Sequence, residues 1–147
     1  MSELLKKEIQ EYYEYWFNTN AVYEKWAKKN GLTYNMLFTF YVIYNFPKEC
    51  NQNFICQKLQ LPKQTVNGIL DTLEKRGDIQ RVVSPKDKRN KMIEFTPQGK
   101  IYAEKILEKL YRFEESALKK IDSDIREKMN IGNQQYFKYL QEEIEKN

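Results

Sequence analysis

Apolar residues first appear at helical steps. Leu5, Ile9, Tyr12, Trp16, Tyr23 and Ala27 fall on one side of a helix, Gly31 is a natural stop, and Thr33 suits the cap of the next helix. That next helix, from Tyr34 to about Tyr44, is apolar almost all round (Met36, Leu37, Phe38, Phe40, Tyr41, Val42, Ile43), which predicts a place at the centre of the core. Phe54, Ile55 and Leu59, followed by Leu61, predict a short helix over about 52–59 and a tight turn. In the following segment, 62–77, Val66, Ile69, Leu70 and Leu73 recur at steps of 3 and 4. The opposite face carries Lys63, Gln64, Asn67 and Asp71. Pro62 fits a first helical position, where its missing N–H costs nothing, and Gly77 fits the left-handed residue that ends a helix. Two helices joined this way predict a helix-turn-helix.

After Gly77 the period changes from helical to alternating. Ile79 begins an extended run through Val83, and 92–95 forms a second in which Ile93 and Phe95 share a face. The intervening stretch, 84–91, is rich in Ser, Pro, Asp and Asn, which favour a turn, and in charges that resist burial. This predicts a hairpin with a basic tip, a wing. Thr96 and Pro97 then supply a cap and a first-turn proline, and Gly99 permits close approach of a neighbouring backbone. Beyond them Ala103, Ile106, Leu110, Phe113 and Ala117 mark a helix that packs lengthwise on others. A last helix, capped near Asp122 or Ser123, carries Ile125, Met129, Tyr136, Leu140 and Ile144. The predicted fold is mainly α: a winged helix-turn-helix with long N- and C-terminal helices, in a single domain over 1–147. The reading head is expected at about 50–98. The helices of 1–30 and 99–147 exceed what a small winged helix needs to cover its own core, which predicts a homodimer built on them.

Charge turns this architecture towards nucleic acid. Between Lys63 and Lys91 stand eight Lys or Arg against four Asp or Glu, a net of +4 that equals the net charge of the whole chain. An excess concentrated in one reading element points to phosphate contact, hence to double-stranded DNA as partner. The candidate DNA-binding residues are Lys63, Gln64, Thr65, Asn67, Lys86, Asp87, Lys88, Arg89 and Lys91. Gln64 and Asn67 are chemically suited to adenine edges. A winged-helix protein-interaction module without DNA affinity is the alternative from another class.

Other chemistry is poorly supported. Histidine is absent, which removes the commonest transition-metal ligand and general base, and no Gly-rich phosphate loop occurs. No enzymatic activity, metal or cofactor is therefore expected. Cys50 and Cys56 are the only thiols; they read as small, partly buried apolar residues, with an oxidant switch as the sharper alternative. With 31% charged residues and a mean hydropathy of −0.82, the chain has no apolar run approaching a membrane span. No signal-peptide core is seen, and a cytoplasmic location is the default expectation.

The chain holds 8 Phe, 2 Trp and 11 Tyr, many clustered in its first two helices. Such clusters usually belong to the core. Buried Tyr hydroxyls and Trp N–H groups nonetheless need polar partners, so Tyr12, Trp16, Tyr34, Phe38 and Tyr41 are candidates for a cleft that binds a small aromatic or lipophilic effector.

In Thr65-Val66, Leu73-Glu74-Lys75-Arg76-Gly77, Arg81, the wing Pro85-Lys86-Asp87-Lys88-Arg89 and Phe95-Thr96-Pro97-Gln98-Gly99, the chain resembles the MarR family of bacterial transcription regulators. The wing Asp-x-Arg with the downstream Thr-x-x-Gly is the more specific part of the match. The resemblance implies a homodimer with interlocked terminal helices, a recognition helix in the major groove and Arg89 in the adjacent minor groove. It also implies that Asp87 orients the wing through a salt bridge, and that the protein is a ligand-responsive repressor. Gly68 and Thr72 stand where relatives often carry basic residues, and Asp78 where an apolar one is usual. The oxidant-sensing branch keeps its cysteine in the N-terminal helix, where this chain has none.

Overall fold

A computed structural model describes all 147 residues. The order of elements is α1 (Glu3–Lys29), α2 (Tyr34–Asn45), α3 (Gln52–Leu59), α4 (Lys63–Lys75), β1 (Ile79–Val83), β2 (Lys91–Phe95), α5 (Pro97–Leu118) and α6 (Ser123–Glu145). The chain divides into two compact units, Met1–Leu107 and Glu108–Asn147.

In the first unit the helix starts are set by side-chain caps. Ser2 Oγ accepts from the Leu5 N–H at 3.3 Å, Thr33 Oγ1 from Met36 at 3.1 Å, and Asn51 Oδ1 from Phe54 at 2.8 Å. The stops are left-handed residues: Gly31 at φ +77°, Gly77 at φ +80°, and Gln60 at φ 52° closing α3. Pro62 departs from expectation by one position. It is the extended residue preceding α4 (φ −60°, ψ 149°), and its carbonyl accepts the Val66 N–H at 3.1 Å.

The core is shared by five elements and the start of α5. Leu37, Phe40, Val42 and Ile43 of α2 are buried with Ile55 of α3, Val66, Leu70 and Leu73 of α4, Ile79 and Ile93 of the hairpin, and Ala103. Each large side chain so buried contributes about 1.5 to 3 kcal/mol. Phe40 sets its ring 6.0 Å from that of Phe95 and 5.7 Å from that of Tyr102, joining α2 to β2 and α5. The hairpin is antiparallel, with Ile79 opposite Phe95 and Arg81 opposite Ile93. It is pinned to the segment before α3 by the Ile93 N–H, which donates to the Cys50 carbonyl at 2.9 Å, and by an Asn51–Met92 bridge.

Two expectations about the first helices need correction. The α2 helix is central but not enclosed: Tyr41 is 45% exposed, Tyr44 lies open as well, and Met36 and Phe38 are half-buried. In α1 only Ala27 is buried, so the predicted stripe of Leu5, Ile9, Tyr12 and Trp16 is exposed. The periodicity is helical, yet no other element of the unit Met1–Leu107 covers that face.

The second unit holds the end of α5 and all of α6. Leu110 is buried, whereas no residue of α6 is. Asp122 precedes α6 without a side-chain capping bond, unlike the caps of α1, α2 and α3. Intrahelical ion pairs of Arg112 with Glu108 and Lys119 with Glu115 lie on exposed surface and contribute little. No helix of the chain is long and apolar enough to cross a membrane.

Candidate nucleic-acid interface

The first turn of α4 is fixed from the preceding helix. Gln52 Nε2 donates to the Lys63 carbonyl at 3.1 Å, holding the α3–α4 turn closed. Val66, Leu70 and Leu73 anchor the inner face, which leaves Lys63, Gln64, Thr65 and Asn67 exposed on the outer one. Gln52, Lys63, Gln64 and Asn67 line one open concavity there. Gln52 was not among the residues expected from sequence, because its role depends on a contact across 11 positions rather than on local pattern.

The wing tip is shaped by its own polar residues. The Lys86 N–H donates to Ser84 Oγ at 3.3 Å, the Arg89 N–H to Asp87 Oδ1 at 3.0 Å, and the Asn90 N–H to the Asp87 carbonyl at 3.1 Å. The orienting role of Asp87 therefore runs through a backbone hydrogen bond and not through the expected salt bridge. A short carboxylate two residues before an N–H closes an Asx turn, and this leaves the Arg89 guanidinium outside the bond. Arg89, Asn90 and Lys91 line, with Gln52, Asn53, Lys63 and Arg81, a groove of about 170 Å³. Wing and recognition helix thus face a common recess.

Not every cation of the segment is available to a ligand. Arg81 Nη1 lies 2.9 Å from Asp71 Oδ1 and 3.5 Å from Glu74 Oε1, bridging β1 to α4. Arg76 Nε lies 3.1 Å from Oδ2 of the buried Asp78, without a well-aligned hydrogen bond, and its guanidinium sits 5.5 Å from the Tyr102 ring. These two arginines are structural. Lys63, Lys86, Lys88, Arg89 and Lys91, in contrast, are exposed and make no ion pair.

The end of α4 is locked to the start of α5. Thr96 Oγ1 donates to the Gly77 carbonyl at 2.5 Å and accepts from the Gly99 N–H at 3.0 Å. Gly99 is required by contact: a Cβ there would lie 1.7 Å from the Asp78 carbonyl oxygen. This accounts for the polar residue after Gly77. Asp78 brings its backbone against α5 and sends its carboxylate to Arg76.

Cys50 is buried, and burial, with the Glu49 charge adding to it, pushes its thiol up from 9.0 to about 12. It stays protonated at neutral pH and behaves as a packing residue. Cys56 is half-buried and unbridged. The five aromatic candidates are only partly brought together. The rings of Tyr34 and Phe38 lie 4.7 Å apart, with Tyr23 at 5.7 Å from Phe38. Further along α1, Tyr12 contacts Tyr13 (6.2 Å) and Trp16 contacts Phe17 (5.8 Å), and Tyr41 is exposed on α2.

Residues 30–90 match the MarR family. The whole chain is similar in fold to NMB1585, a MarR family regulator from Neisseria meningitidis, at 24% identity, with 100% of this chain and 99% of that one covered and a TM-score of 0.76. It is also similar to the transcriptional regulator BldR from Sulfolobus solfataricus, at 15% identity, 95% and 99% coverage and a TM-score of 0.75. MepR from Staphylococcus aureus, solved as a DNA complex, gives 21% identity, 88% and 94% coverage and a TM-score of 0.72. None of the curated proteins matches the sequence. Over residues 30–90 the chain is therefore similar to the MarR family, and the fold around that segment is the one these solved regulators share.

Proposed function

We propose that this protein is a DNA-binding transcription regulator that acts as a homodimer on a pseudo-palindromic operator, in the sense of a repressor released by a small aromatic or lipophilic effector. The observation that carries the reading is the division of labour among its cations. Arg76 and Arg81 are held by carboxylates, while Lys63, Lys86, Lys88, Arg89 and Lys91 stand unpaired beside one groove and on the wing. Unpaired cations on a helix end and a hairpin tip suit phosphates on either side of a groove, with Gln64, Thr65 and Asn67 left to meet base edges. MepR, similar in fold, has been solved with DNA.

Dimerisation is supported by the uncovered apolar faces. Leu5, Ile9, Trp16 and Phe17 of α1, and Phe137, Leu140 and Ile144 of α6, are each 41% exposed or more. Contiguous apolar faces of this kind are covered by partners in soluble proteins. A two-fold dimer would present two recognition helices about 34 Å apart, one turn of duplex. The Tyr23–Tyr34–Phe38 ring cluster, with Tyr12, Trp16 and Tyr41 as flanking candidates, supports the effector reading. An effector acts only if it prefers a dimer whose helices are spaced wrongly for the operator. Selection of bound duplexes from a random library tests the proposal. A two-fold symmetric enriched site is the expected result, and a failure to retain any duplex would overturn it.

A further inference from the structure

The wing strand and the recognition helix meet at Arg81, and that meeting constrains what Asn67 can read. The Arg81 side chain is only 18% exposed. Besides its two carboxylates, its Nη2 lies 3.4 Å from Asn67 Oδ1 and 3.5 Å from the Asn67 carbonyl oxygen. A guanidinium carries donors and no acceptor, so the edge of the Asn67 carboxamide turned towards it is the oxygen. The amide is planar, and its NH₂ is therefore the edge turned away from Arg81. Asn67 is exposed and lines the concavity at the start of α4.

An asparagine that reads adenine needs both amide atoms at the leading edge, the oxygen to accept from N6–H and the nitrogen to donate to N7. With the oxygen drawn back to Arg81, the edge left for a base is a donor. Guanine offers two acceptors in the major groove, N7 and O6, and thymine offers O4, whereas adenine offers N7 alone and sets beside it an N6 amino group that a donor leaves unpaired. Asp71 and Glu74 hold the other side of the guanidinium at 2.9 and 3.5 Å, so Arg81 cannot follow Asn67 outward without giving up its carboxylates.

We propose that Arg81 is a positioning residue that turns Asn67 into a donor-only reader, selecting an acceptor edge, guanine or thymine, in place of the adenine that an unconstrained asparagine prefers. This rests on the DNA-reading function proposed above. The carboxylates that hold Arg81 make it unavailable to phosphate, so its contribution to binding is base choice rather than charge.

The test is selection from a random duplex library with the wild-type protein, Asn67→Asp and Arg81→Lys, each checked for native circular dichroism. Asn67→Asp keeps an oxygen for Arg81 and replaces the outward NH₂ by an acceptor. It should convert one position per half-site from guanine or thymine to cytosine, whose N4 amino group donates, with a change on the order of tenfold. Arg81→Lys removes the fork while keeping the charge beside Asp71, and should admit adenine at that same position with the rest of the site unchanged. Adenine as the wild-type choice there, or an Asn67→Asp profile identical to wild type, would overturn the proposal. If none of the three proteins enriches any sequence, the DNA reading itself fails and this inference falls with it, a result distinct from the other two.

Discussion

The recognition helix α4 and the C-terminal helix α6 both carry apolar residues at helical steps, more sharply segregated in α4, and meet opposite fates. Val66, Leu70 and Leu73 are fully buried within their own chain, whereas Ile125, Met129, Tyr136, Leu140 and Ile144 remain between 38% and 69% exposed. Periodicity states that a face is to be covered; it does not state by which chain. The head of the molecule is closed by its own elements, with α2, α3, the hairpin and the first turns of α5 around α4. The terminal helices carry an apolar stripe that is exposed in the single chain, and at ~25 cal/mol per Å² of apolar surface its burial in the proposed dimer would be a substantial drive to associate.

Paired substitutions sharpen this contrast most. Leu70→Asp places an unpaired carboxylate in a sealed core and should destabilise the protein by about 4 kcal/mol or more, read as loss of cooperative unfolding in urea. Leu140→Asp, at a site already exposed, should leave the helical content intact and shift the protein from dimer to monomer in sedimentation velocity. An equal loss of folding in both variants would erase the distinction between the two regions.

Gly99→Ala comes next. Its Cβ would meet the Asp78 carbonyl at 1.7 Å, so α5 must move away from the end of α4, at a cost of about 3 kcal/mol in unfolding free energy, measured by urea denaturation. Arg89→Ala is expected to weaken operator binding by roughly 1 to 3 kcal/mol per half-site with no change in melting temperature, since the side chain sits on an exposed turn. Gly68, by contrast, meets nothing within 4 Å of a Cβ placed on it, so Gly68→Ala should stabilise α4 by about 1 kcal/mol, measured by thermal melting. At neutral pH the smallest effect is that of Cys50. Its folded-state thiol is raised above the ordinary value, so the unfolded chain loses its proton first as pH rises. The stabilisation held by the protonated native thiol is complete below pH 9.0 and is lost towards about 12. A thiol reagent at pH 7.5 should spare Cys50 until the protein unfolds.

Much of the head was legible because its signals are local. The short helix over 52–59, the strand from Ile79 to Val83, the cap at Thr96 and the close approach at Gly99 each follow from residue types at fixed spacing. What escaped depends on contacts between distant positions. The bond from Gln52 to the Lys63 carbonyl and the Arg81 bridge to Asp71 and Asn67 both join segments that no periodicity links. Asp87 was expected in a salt bridge, whereas a carboxylate two residues before an N–H closes an Asx turn instead. The exposure of Tyr41 and of the α1 stripe was hidden for another reason: an apolar helix reads alike whether its cover is in the same chain or outside it.

Whether the unpaired cations of α4 and the wing form a phosphate-binding surface is read out by titrating a selected duplex at salt concentrations between about 50 and 200 mM, where counterion release dominates. If each subunit neutralises about three to four phosphates, log K should fall against log salt with a slope on the order of −5 to −7 for the dimer. Replacing Lys86, Lys88 and Arg89 by Ala should make that slope shallower while leaving the dimer intact. A slope near zero in the wild-type protein, or one unchanged in the wing variant, would contradict the account.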